Sequence, residues 1–309
     1  MTAARFVGVD WGTSSFRAWL FEADGTVLNE VRAPDGLLAV GERNFAEVLE
    51  AHLATLGADG ATPAVLCGMV GSRTGWHEAD YLDAPVALRD LGPLATPVDH
   101  PSRPVHILPG IAQRSDAEPD VMRGEETQLL GVVAEGHRSG LVCMPGTHSK
   151  WVRLADGTVE GFSTFMTGEL FALLRERSIF AKAVEGAARV DGQAGAFRRA
   201  VRRALDEPNR ATNALFGVRA GWLLHGREPG EQLATLSGLL IGLELSGAAA
   251  RWGALDGCVL LADGAIRDLY RSALDVAGIS GVREMAPDPC VRHGLVSAAT
   301  SLLANGNRR

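Results

Sequence analysis

Short apolar runs and polar, glycine-bearing turns alternate at the start of the chain. Phe6 to Val9 is apolar and brief, as a buried strand should be, and alternation resumes from Phe16 to Phe21. Asp24-Gly25 then marks a hairpin turn into a third strand. Farther along, apolar spacing predicts a helix over Phe45 to Leu56, strands at Val65-Leu66 and Val105 to Leu108, and a helix over Glu125 to Val133. The second half turns mainly helical, over 168–185, 194–206, 211–224 and 231–250, followed by a buried strand at Gly257 to Ala262 and helices over 264–277 and 291–304. Mixed sheets covered by helices fit this order. The polar stretch EGHRSG predicts a lobe boundary near 135–140, hence an N-terminal lobe of 1–137 and a C-terminal lobe of 138–309, with the last helix able to cross back to the first lobe.

The opening pattern occurs twice. VGVDWGTSSFRAWLFEADGTVL and VCMPGTHSKWVRLADGTV each read as strand, Gly-Thr-containing turn, strand, Asp-Gly turn, strand, and their turn glycines, Gly12 and Gly146, lie 134 residues apart. This predicts a duplicated core with one hairpin per half. In the first turn Gly12 lets the backbone bend, Thr13, Ser14 and Ser15 supply hydroxyls, and successive N–H groups can form a concave nest for phosphate oxygens. Gly146, Thr147, His148 and Ser149 form the second. Asp10 stands at the lip of the first turn, placed to hold a hydrated Mg²⁺, whereas the second copy has Met144 there, so the expected site is asymmetric.

Composition narrows the partners. With 46% hydrophobic and 22% charged residues the chain should fold, and a net charge of −7 leaves no electrostatic footprint for nucleic acid. Arg198, Arg199, Arg202 and Arg203 sit in helical spacing and read as a solvated face. The chain enters a strand almost at once and no uninterrupted apolar run looks long enough to span a bilayer, so a cytoplasmic location without membrane attachment is expected. Cys67, Cys143, Cys258 and Cys290 form no CxxC pair and the histidines are dispersed, so neither a zinc nor a redox site is signalled.

Five strings carry a closer likeness: GVDWGTSSFRAWL, PDGL at 34–37, GMVGSRTGWHEADYLDAP at 68–85, DVMRGEETQLLG at 120–131 and PGTHSKW at 145–151. Together they resemble the 2-dehydro-3-deoxygalactonokinases, in the sugar-kinase branch of the actin/hexokinase-like ATPase superfamily. The resemblance spans almost the whole chain. It implies a two-lobed α/β fold, duplicated and ribonuclease H-like, with mixed sheets and an inter-lobe cleft. It also implies ATP and Mg²⁺ as cofactors and phosphorylation of 2-dehydro-3-deoxy-D-galactonate at its terminal hydroxyl.

Such a reaction needs a carboxylate to take the hydroxyl proton. In related kinases the base opens a helix before the second hairpin, and Glu125 falls at that position. Glu126 and Asp120 remain alternatives, and paired acids at a helix start also favour the helix dipole. In the loop at 68–80, Arg73 offers a planar two-point contact to a sugar-acid carboxylate, Ser72 a donor to keto or hydroxyl oxygens, and Trp76 a cover for the carbon chain. Glu169 is a further substrate-side candidate. The resemblance places an adenosine motif at Asp263, Gly264 and Ala265. Other readings are a kinase for a different keto-deoxy acid or sugar, such as 2-dehydro-3-deoxygluconate, and a non-catalytic carbohydrate sensor.

Overall fold

The first strand, β1 (Phe6–Trp11), is buried along nearly its whole length, which is why its sequence is an apolar run rather than an alternation. It belongs to a computed structural model that describes residues 5–41 and 43–306, the last two by backbone only. β1 pairs antiparallel with β2 (Phe16–Phe21), which pairs antiparallel with β3 (Val27–Ala33). A single turn, α1 (Leu37–Val40), leads to α2 (Phe45–Leu56), whose Asn44 side chain caps the N–H of Ala46 at 2.8 Å. β4 (Ala64–Cys67) then lies parallel to β1. The short strands β5 (Tyr81–Asp83), β6 (Val86–Ala87), β7 (Thr96–Val98), β8 (Val105–Ile107), β9 (Gly110–Gln113) and β10 (Asp120–Met122) precede α3 (Glu125–Ala134).

β11 (Gly140–Met144), β12 (Ser149–Ala155) and β13 (Thr158–Phe165) repeat the hairpin arrangement. Four helices follow: α4 (Thr167–Arg177), α5 (Gly195–Asp206), α6 (Ala211–His225) and α7 (Pro229–Trp252). β14 (Val259–Leu261), α8 (Gly264–Ala277), β15 (Arg283–Met285) and α9 (Pro287–Gly306) end the described chain.

Two compact units result. One holds the described residues up to Ser139, the hairpin tip Leu154–Gly161, and those from Pro287 on; the other holds Gly140–Arg153 and Phe162–Ala286. The expectation of two segments meeting at 137/138 is corrected at the hairpin tip, Leu154–Gly161, whereas the last helix crosses back to the first unit as the sequence allowed. The tip of the second hairpin pairs with β6 inside the first unit, through Thr158 to Ala87 and Val159 to Val86, and α9 packs on α3 and β1.

Sheet topology carries the duplication. In the first unit the strands run β3-β2-β1-β4-β8-β7; in the second, β13-β12-β11-β14-β15 follows the same path over five strands. In both, the first strand of the hairpin lies parallel to the strand after it, β1 to β4 and β11 to β14, and the next pair, β4 to β8 and β14 to β15, is parallel too. This is the ribonuclease H-like, actin/hexokinase-like arrangement, made twice.

One expectation needs correction. The helix expected over 168–185 stops at Arg177, where the Ser178 hydroxyl donates to the carbonyl of Leu174 at 2.5 Å and accepts from the N–H of Phe180 at 3.0 Å, so a 3₁₀ turn over Ala181–Val184 follows instead. The sheet β10-β9-β5 was not anticipated, because strands of three or four residues are too short to show a period. α7 is long and apolar enough to cross a membrane by length and composition, but Glu244 interrupts its apolar run and most of the helix is buried as the central helix of its unit. All four cysteines are buried as free thiols.

The return of α9 depends on small residues. A Cβ on Gly131 of α3 would overlap the backbone of Cys290, and one on Gly294 of α9 would overlap the carbonyl of Thr127, so the two helices meet backbone to backbone. Gly131→Ala or Gly294→Ala should therefore cost about 1–3 kcal/mol through overpacking. By contrast Gly230→Ala, where the added carbon meets nothing, should be neutral or slightly stabilising. Chemical denaturation of the three variants checks this; equal stabilities would contradict the reciprocal contact.

Candidate active site

Each unit presents its turn in the same way. In the first, the N–H of Gly12 bonds the carbonyl of Ser15 at 2.9 Å, and Thr13, Ser14 and Ser15 are left exposed. The chain leaving β3 passes directly behind it. A Cβ on Gly36 would overlap the backbone of Ser14, and the N–H groups of Leu37 and Leu38 bond the carbonyls of Gly12 and Thr13, both at 3.1 Å. In the second unit the chain leaving β13 does likewise: Gly168 lies against the carbonyl of Gly146, and the N–H of Glu169 bonds Thr147 at 2.9 Å. With these carbonyls occupied from behind, each turn is held for its exposed groups to meet an anion.

The charges differ. Asp10 faces Arg17 across the β1/β2 pair and is ion-paired with it, and Arg17 also reaches Asp288 on α9 at 3.0 Å. Arg32 joins Asp288 at 2.9 Å. Burial raises the Asp10 carboxyl above its ordinary range, Arg17 pulls it back, and Glu125 and Asp288 push it up again. Asp10 and Glu125 thus feel each other. Among the described residues no cluster of three or more metal-ligating side chains is present. A lone carboxylate such as Asp10 is compatible with Mg²⁺, which commonly takes one or two carboxylates and completes its shell with phosphates and water.

The three candidate bases separate. Glu125 opens α3, partly exposed, and its Oε2 accepts from the N–H of Arg123 at 3.1 Å. Glu126 is fully buried, with its carboxyl accepting from the N–H of Gly124 at 2.6 Å and from the Thr127 hydroxyl at 3.1 Å. Burial, reinforced by the charge of Glu125, pushes Glu126 up to about 8, so at neutral pH it already holds a proton and is a poor acceptor for another. Asp120 starts β10 and bonds the N–H of Val121 at 2.8 Å.

In the loop after β4, Arg73 is exposed and has no hydrogen-bond or ion-pair partner among the described residues, while Ser72 is buried with its hydroxyl 3.4 Å from that of Thr74. Trp76 stacks on Phe45 at 6.3 Å and packs against the core of the first unit. Beneath the loop is a cation that sequence reasoning missed. Arg123 is buried over the ring of Tyr81 at 4.2 Å, bonds the carbonyl of Ala79 at 2.7 Å, and leaves Nη1 unpartnered close to Gly71. Its place in DVMRGEE, two residues before Glu125, was the available signal.

In the second unit His148 Nε2 lies 2.5 Å from Glu169 Oε2, which ties Glu169 to the second turn. Ser149 is fully buried, its hydroxyl 2.9 Å from that of Tyr270, and so points away from the exposed face expected of it. Asp263 caps α8 by accepting from the N–H of Gly264 at 2.6 Å. One turn farther, Ile266, Leu269 and Tyr270 line an apolar cavity of about 100 Å³ with Gly146, Gly168 and Phe171. The cavity therefore begins at the second turn and runs under α8, a position that the small residues 263–265 mark without lining it.

A family model for 2-keto-3-deoxy-galactonokinase matches residues 10–298. The chain belongs to this family of carbohydrate kinases. A Rhizobium meliloti (strain 1021) protein named a probable 2-dehydro-3-deoxygalactonokinase is 49% identical over 302 residues, covering 97% of this chain and 98% of the relative. The Escherichia coli (strain K12) 2-dehydro-3-deoxygalactonokinase is 35% identical over 297 residues, covering 96% and 98%. A crystal structure of a provisionally named 2-dehydro-3-deoxygalactonokinase from Sinorhizobium meliloti superposes with a TM-score of 0.92 at 50% identity, covering 95% of this chain and 98% of that one.

Glu126 should make the stability of this family member depend on pH. Glu126 keeps its proton in the fold up to about 8 against an ordinary value of 4.5, while the unfolded chain has lost it, so its contribution is full below about pH 4.5 and lost as pH rises toward 8. Glu126→Gln cannot ionise. Its melting temperature relative to the parent should rise between pH 5 and pH 8, and a difference that stays constant across that range would contradict the buried, protonated state.

Proposed function

We propose that this chain transfers the γ-phosphoryl group of ATP to the terminal hydroxyl of 2-dehydro-3-deoxy-D-galactonate, giving 2-dehydro-3-deoxy-6-phospho-D-galactonate. The observation that carries the substrate is the full-length similarity to kinases named for it, at 49% and 35% identity. The geometry supports a role for each group. Asp10 would hold Mg²⁺, which supplies charge neutralisation to the phosphoryl oxygens, and Arg17 holds the Asp10 carboxylate in place. The exposed first turn, Gly12 to Ser15, and the second, Gly146 to His148, offer backbone and side-chain donors to phosphate.

Glu125, partly exposed at the start of α3, takes the proton of the attacking hydroxyl. Arg73, free of competing partners among the described residues, receives the sugar-acid carboxylate, with Ser72 beside it. The apolar cavity beneath α8 takes the adenine. Buried free thiols and ATP as donor both suit a cytoplasmic location.

A coupled assay of ATP consumption across 2-dehydro-3-deoxygalactonate, its gluconate epimer and the parent aldonates tests class and substrate together. Turnover should be fastest with the galactonate derivative. Preference for another acid, or ATP binding without turnover, would reject the assignment. In that assay Glu125→Gln should lower kcat by about 10²–10⁴-fold with ligand binding retained. If that variant stays active, the base lies elsewhere. Arg73→Lys should raise KM for the sugar acid far more than for ATP, because an ammonium cannot reproduce a planar two-point contact. Equal rises would indicate a packing role.

A further inference from the structure

Glu244 lies on α7 in the core of the second unit, 2% exposed, and its carboxylate meets three neutral donors. Trp151 Nε1 donates to Oε1 at 3.0 Å; the Thr167 and Tyr270 hydroxyls lie 2.5 and 2.6 Å from Oε2. An indole N–H can only donate, and the two O···O distances fall in the range of hydroxyls on an ionised oxygen. Burial pushes this carboxyl above its ordinary range and the donors pull it back.

The direction of the chain follows. With its proton committed to Glu244, Tyr270 can only accept from the Ser149 hydroxyl at 2.9 Å. The Gly146 carbonyl, 3.5 Å from the Ser149 hydroxyl, is the other acceptor within its reach; on either one the Ser149 proton stays inside the turn, while its oxygen accepts from the N–H of Gly146 at 3.4 Å. The same carboxylate grips β12 through Trp151 and the first residue of α4 through Thr167, next to Gly168, which backs the turn.

We propose that Glu244, acting through Tyr270 and Ser149, is the positioning device of the second phosphate turn, and that Ser149 braces the turn from inside instead of donating to phosphate. The inference rests on the nucleotide role given above to that turn.

Titration calorimetry of Mg·ATP on the protein without sugar acid tests it independently of which acid is phosphorylated. Tyr270→Phe and Ser149→Ala should each weaken ATP binding by about two- to tenfold, the span of one hydrogen bond. Because both break one chain, the double variant should be no weaker than the worse single. In turnover both should raise KM for ATP and leave KM for the acid unchanged, and Glu244→Gln, whose amide must donate where the carboxylate accepted, should do the same while melting cooperatively. Multiplying effects in the double variant would mean that Tyr270 acts only through the cavity it lines. A loss confined to Ser149→Ala would mean direct contact with phosphate. Either result, or equal rises in both KM values, overturns the proposal. Absence of any ATP binding by the wild-type protein would instead remove the nucleotide role on which it rests.

Discussion

The close approach of a glycine to the back of each turn is the constraint on which the rest depends. At Gly36 and at Gly168 the chain leaving the third strand comes so near the turn that a single methyl group would force the two apart. That contact occupies turn carbonyls with backbone N–H groups, fixes the loop without regular secondary structure, and leaves its outer face to polar side chains and amides. Anion binding by such a loop gains from having its shape set in advance, since little ordering remains to be done on binding.

On this shared frame the two units carry different electrostatics. The first builds an ionic lattice in which Asp10, Arg17, Asp288 and Arg32 alternate in sign, partly open to solvent. The second buries one carboxylate, Glu244, among neutral donors. A largely buried, ion-paired carboxylate neighbouring Glu125 suits metal and proton chemistry, whereas a buried carboxyl satisfied by three hydrogen bonds suits rigidity. Duplication of the backbone thus comes without duplication of chemistry, as the exchange of Asp10 for Met144 already suggested.

Much of the fold was legible because its signals are local. The helix Phe45–Leu56 has the ends its apolar spacing and flanking Asn44 and Gly57 imply, and both hairpins lie where turn residues interrupt apolar runs. The site was legible where a motif exposes its groups, as at Gly12 to Ser15, and obscure where a role depends on distant partners. Ser149 looked like a phosphate donor because the residue that claims its proton, Tyr270, lies 121 positions away. Glu126 was hard to rank against Glu125 for a related reason: adjacent positions on a helix start meet different environments, and the burial that keeps Glu126 protonated is not written in the sequence. Glu244 did leave a trace, a lone carboxylate in the small and apolar run SGLLIGLELSGAA, whose meaning required its three donors.

The central claim is that both glycine-backed turns are phosphate-binding elements. Hydrogen–deuterium exchange with and without a non-hydrolysable ATP analogue and Mg²⁺ tests it directly, resolved to peptides spanning 12–15 and 146–149. Protection should rise at both turns at saturating nucleotide, with further protection under α8 where the apolar cavity lies. Saturation of the protein with either turn unchanged would contradict the account.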